Sequence, residues 1–84
     1  MFHCVIEEKD NPIKGSFVRG PLRKTAKGAA KAASTMAVKE GLIYEKVRLV
    51  IFENGCELLR AYGDTPQDAV QDASTLLDRN RRRY

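Results

Sequence analysis

The hydrophobic pattern of this chain switches between a two-residue and a three-to-four-residue period, and the switches divide it into elements. The clearest stretch is Val47 to Tyr62, where two β-rich runs flank Asn54-Gly55. A two-residue type I′ turn needs φ > 0 at both central positions, which glycine adopts freely and asparagine tolerates, so this stretch predicts a hairpin. With a two-residue loop and no irregularity, Glu53 faces Cys56, Ile51 faces Leu58, Leu49 faces Arg60 and Val47 faces Tyr62. That face is the richer in large apolar groups and is expected to meet the helices. The other face carries Arg48, Val50, Phe52, Glu57, Leu59 and Ala61. Val50, Phe52 and Leu59 then form an apolar cluster that either lies under a second layer or serves as an interface with another chain.

Upstream, Phe2 to Glu8 alternates as a strand, with Phe2, Cys4 and Ile6 on one face and His3, Val5 and Glu7 on the other. Lys9-Asp10-Asn11-Pro12 is a turn signal, and Gly15 to Gly20 predicts a short returning strand. From Leu22 or Thr25 to Glu40 the period becomes helical: Ala26, Ala29, Ala30, Ala33, Met36 and Ala37 form a small-sided stripe, and Gly41 suits a left-handed C-terminal position. Thr65-Pro66-Gln67-Asp68 opens a second helix with an N-cap threonine, proline at the first helical position and an acid in the first turn. Ala69, Val70, Ala73, Leu76 and Leu77 give its core stripe. No internal repeat, long linker or low-complexity segment is legible. The expected fold is α+β, an antiparallel sheet of three to four strands with two helices in the order β(β)αββα. It forms one small domain over residues 1–84, with an Arg-rich end at 79–84 that frays.

Eighty-four residues can build a core but not a deep enclosed active site as well. Apolar runs fall short of the roughly 20 residues a membrane span needs, and the N-terminal pattern is not that of a signal peptide, so a cytoplasmic location is expected. Cys4 and Cys56 lack metal-ligand spacing and read as free buried thiols. His3 is the only histidine, which leaves little from which to assemble a catalytic triad or a histidine metal site. The expectation is a non-enzymatic protein without metal or cofactor.

Charge is segregated along the chain. Residues 11–39 hold seven basic side chains and no acid, whereas residues 40–78 hold eight acids against three basic residues. Lys24, Lys27 and Lys31 recur on one helical face, and with Arg19 and Arg23 from the preceding loop they form the candidate partner-binding set. Such a set either neutralises a DNA or RNA backbone, docks an acidic protein surface, or is a solvated helix face. Tyr44, Phe52 and Tyr62 do not make the aromatic pattern of an RNA-binding sheet. A homodimer is a further expectation, since it would add buried area to a small core.

The alanine-rich stretch from Gly28 to Gly41, the apolar strand after it, Asn54-Gly55 and the returning strand together resemble, in length and element order, small phage-encoded anti-CRISPR proteins that inhibit type I surveillance complexes. The resemblance covers residues 2–62 and implies inhibition by occlusion: binding to subunits of a bacterial CRISPR effector complex so that target DNA recognition is blocked. The alternative is a basic accessory module that binds the nucleic-acid backbone through the lysine face.

Overall fold

Six elements form where the local chemistry asks for them, and four strands join into one antiparallel sheet. The computed structural model describes residues 1–8, 17–41 and 46–79. The elements are β1 (Phe2–Glu8), β2 (Phe17–Arg19), α1 (Ala26–Lys39), β3 (Val47–Glu53), β4 (Cys56–Gly63) and α2 (Pro66–Arg79), with the sheet ordered β2-β1-β3-β4. The predicted turn at Lys9–Pro12, the first residues of the predicted second strand, Tyr44 and the Arg81–Arg83 run lie outside the described residues.

Both helices start on a threonine. Gly28 N–H donates to Thr25 Oγ1 at 3.0 Å and Asp68 N–H donates to Thr65 Oγ1 at 3.2 Å, each satisfying a backbone donor that the first turn leaves unpaired. Gly41 follows α1 with φ 85°, and the β3–β4 turn has φ 51° at Asn54 and 86° at Gly55, as a type I′ turn requires. The α-amino group of Met1 donates to Asn54 Oδ1 at 2.8 Å, tying the first residue to that turn.

The hairpin register differs from the expected one. Glu53 does face Cys56, but Ile51 pairs with Leu59, Val50 with Arg60, Leu49 with Ala61 and Arg48 with Tyr62. The register shifts between Ile51 and Phe52, so Leu58 has no partner directly opposite and forms a β-bulge. The physical reason is visible in what each register would bury. In the regular register Arg60 and Tyr62 point beneath the helices, and an unpaired guanidinium there carries a steep desolvation cost. The bulge turns Arg60 and Tyr62 outward and places Ala61, fully buried, in the core. Leu59 therefore leaves the predicted Val50–Phe52–Leu59 cluster, and Leu58 and Leu59 both pack against the core.

The helices cover one face only. Ala29, Ala30, Ala33 and Ala37 of α1 and Ala69, Ala73 and Leu77 of α2 join Cys4, Ile6, Val18, Leu49 and Ile51 in a single cluster. Small side chains let the helices lie close, and the sheet yields in the same way. A Cβ on Gly20 would meet Ala33 Cβ at 3.0 Å, and one on Gly63 would meet Ala69 N at 2.4 Å.

The topology is a ββα unit used twice, which corrects the expectation of no repeat. β1 and β3 pair antiparallel about Val5 and Val50, with β2 and β4 outside them and α1 and α2 on the same face. This is the arrangement of a pseudo-twofold axis normal to the sheet. Its trace in sequence is faint but real. Thr25, Ala29, Ala33, Ser34 and Thr35 recur as Thr65, Ala69, Ala73, Ser74 and Thr75, and Val5-Ile6 and Glu8 recur as Val50-Ile51 and Glu53. Thr35 and Thr75 make the same bond, donating to Lys31 O and Gln71 O at 3.1 Å.

Gly63→Ala drives a methyl group into the backbone of α2, where nothing can swing aside, and is expected to cost about 1–3 kcal/mol. Gly20→Ala, which needs only a slight shift of Ala33, should cost less. Urea unfolding of the two variants checks the order.

Candidate functional site

The alternation that sends Val18, Cys4, Ile6, Leu49, Ile51 and Ala61 to the helices sends their neighbours to the opposite face, on which no described helix packs. Strand pairing arranges that face in rows. The central row crosses all four strands as Arg19, Val5, Val50, Arg60. One row aside lie Phe17, Glu7, Arg48 and Tyr62; on the other side lie His3, Phe52 and Glu57.

The aromatic groups are of two kinds. His3 and Phe52 stack with ring centroids 4.8 Å apart and planes within 4°. His3 is buried and Phe52 half-buried. Phe17 and Tyr62, at the two edges, are 61% and 45% exposed. His3, Val5, Phe17, Arg19, Phe52 and Gly55 line a shallow depression of about 340 Å³.

Three arginines stand among these rings. Arg48 donates from Nε at 2.6 Å, and from its terminal nitrogen, to Glu7 Oε1. Arg60 grips both carboxylate oxygens of the exposed Glu57 at 3.0 Å, and this bidentate bond holds the Glu57 carboxyl below its ordinary pKa. Arg19 has no carboxylate within ion-pair distance among the described residues. Loss of water around the His3 ring, aided by the Arg19 charge, lowers the His3 pKa and keeps the imidazole neutral.

The predicted basic set is divided by the fold. Arg19 pairs with Val5 on the helix-free face, whereas Lys24, Lys27 and Lys31 lie on or just before α1 on the other side of the sheet. The period of two in Phe17-Val18-Arg19 separates them. Arg23 folds back onto Leu22 O at 3.0 Å, and Lys27 bonds Asp78 of α2 at 2.7 Å, which shows that the helices run antiparallel. Lys24 and Lys31 remain exposed. Asp78 offsets part of the charge of the lysine face through its pair with Lys27.

The sequence reading missed Phe17 and Tyr62 as members of one surface with His3 and Phe52. Phe17 and Arg19 could have been assigned to a shared face from their spacing, but Tyr62 reaches it only through the bulge. The thiols are separate: Cys4 is buried in the core, where loss of solvation pushes its pKa up to about 12, whereas Cys56, expected to be buried as well, is exposed. Among the described residues no three His, Cys, Asp or Glu side chains gather to hold a metal ion, and no helix is long and apolar enough to cross a membrane.

Two measurements test these environments. His3 favours its neutral form in the folded chain, so its contribution to stability is intact above about pH 6.5 and is lost as pH falls through its lowered folded pKa. His3→Phe, which keeps a ring on Phe52, should shrink the loss of melting temperature between about pH 7 and about pH 5. A thiol reagent should titrate Cys56 at once in the native protein and Cys4 only after denaturant is added.

Compared with models of known protein families, with curated proteins and with solved structures, the chain matches none.

Proposed function

We propose that this protein is a non-enzymatic binding module and that its working surface is the helix-free face of the sheet, with nucleic acid as the ligand. The observation that carries the reading is the side-chain content of that face: exposed Phe17 and Tyr62, the His3–Phe52 stack, and Arg19, Arg48 and Arg60 between them. Aromatic faces accept bases and guanidinium groups accept phosphates, and a sheet presents both on one surface. The net charge of +4 favours the same ligand. This differs from backbone binding through Lys24, Lys27 and Lys31, where one lysine is committed to Asp78.

A protein partner is the second reading, favoured by the half-buried Phe52 and the exposed Phe17, which line one depression; Val50, expected in the apolar interface, is buried. Its specific form, occlusion of a type I CRISPR effector, rests on the resemblance in element order alone.

Electrophoretic mobility shift with RNA and DNA oligonucleotides separates these readings. The expected result is binding that Phe17→Ser with Tyr62→Ser weakens by tenfold or more, about 1.4 kcal/mol, and that Lys24→Gln with Lys31→Gln changes little. Loss of binding in the lysine variant alone would return the site to α1. No binding to any nucleic acid, together with restored phage plating in bacteria that carry an active type I CRISPR system, would establish the inhibitor instead.

A further inference from the structure

We infer that the face takes single-stranded nucleic acid, with the sugar-phosphate backbone crossing the strands along the row Arg19–Val5–Val50–Arg60; the inference rests on the nucleic-acid reading above. The pseudo-twofold axis passes through the centre of this row, between Val5 and Val50, so the two arginines stand at its ends in equivalent register positions. Three strand spacings separate them, about 14 Å. The floor between them is apolar, two valines, of which Val50 is buried and Val5 half-buried.

Aromatic rings flank this track. Same-face residues along a strand are about 7 Å apart. On one side of the arginine row stand Phe17 and Tyr62, and on the other the His3–Phe52 stack. Bases splayed to either side of a backbone on the arginine row would meet rings on both sides. A duplex cannot use this surface, because its bases are paired inward and a sheet with two short rows of rings offers nothing to its grooves.

The two arginines are not equally ready. Arg19 has no acidic partner among the described residues, whereas Arg60 is held by Glu57, an exposed pair of the kind that contributes little to stability. A phosphate at Arg60 must displace or share the Glu57 contact, and the Glu57 charge repels it. Glu57 thus acts against the ligand, and its removal should tighten binding, a sign that a merely structural ion pair would not give.

The experiment is a fluorescence-anisotropy titration of the intact protein with a short labelled single strand of RNA and of DNA, at several salt concentrations, with unlabelled duplex as competitor. Thermal melts confirm that each variant is folded. The expected result is that duplex competes poorly, that Arg19→Ala and Arg60→Ala each lower the slope of log affinity against log salt by about 0.7, and that Glu57→Gln raises affinity severalfold. Phe17→Ala should lower affinity and leave the slope unchanged. Binding that persists with unaltered slopes in both arginine variants, or with duplex competing as well as single strand, overturns the backbone track while leaving nucleic-acid binding in place. Absence of binding at low salt overturns the nucleic-acid reading itself.

Discussion

The one-sided approach of two small-faced helices to the sheet governs this molecule. Alanine stripes on α1 and α2, with Gly20 and Gly63 beneath the crossings, let the helix axes come near enough for Ile6, Leu49 and Ile51 to be fully enclosed. A side chain added at Gly63 would strike backbone rather than a mobile group, so the spacing has little slack. Because both helices lie on this face, the other is built, among the described residues, from its own side chains. It is finished with ion pairs, a stacked ring pair and two exposed rings.

The local features were legible because each depends on a few adjacent residues. Thr25, Thr65-Pro66 and Gly41 mark helix ends through backbone hydrogen bonding, and Asn54-Gly55 marks the turn through φ, so element order and type follow from short windows. What was not legible depends on choices made across the sheet. The bulge at Leu58 is such a choice: no local signal in Cys56 to Tyr62 distinguishes a regular strand from one that slips by a residue. The slip is decided by which side chains α2 will tolerate beneath it, namely Ala61 rather than Arg60. The repeat was hidden for a related reason. The shared positions are few, chiefly buried or capping ones such as Thr25, Ala29 and Ala33 against Thr65, Ala69 and Ala73, while most solvent positions diverge, several from lysine to aspartate or glutamine.

That divergence has a physical meaning. The pseudo-twofold axis relates Lys27 to Gln67, Lys31 to Gln71 and Val38 to Asp78, so the two halves share a skeleton and differ in charge. On the sheet face, by contrast, Arg19 and Arg60 are equivalent in both place and chemistry, while His3 and Phe52 occupy the places of Arg48 and Glu7. The face is symmetric in its middle row and unlike at its two ends. An extended ligand lying on it would meet a direction as well as a centre.

The repeated unit also bears on chain connectivity. Seven residues, 40–46, carry the polypeptide from the end of α1 to the start of β3. In the repeated order of units, the counterpart of that connection runs from the end of α2 to the start of β1. A connector of about seven residues there would allow the chain to be opened between α1 and β3 and read in rotated order, second unit first. Such a circular permutant keeps every strand pairing and both helix crossings, and gives up only the bond from the Met1 ammonium to Asn54. The fold is thus indifferent to which ββα unit is made first.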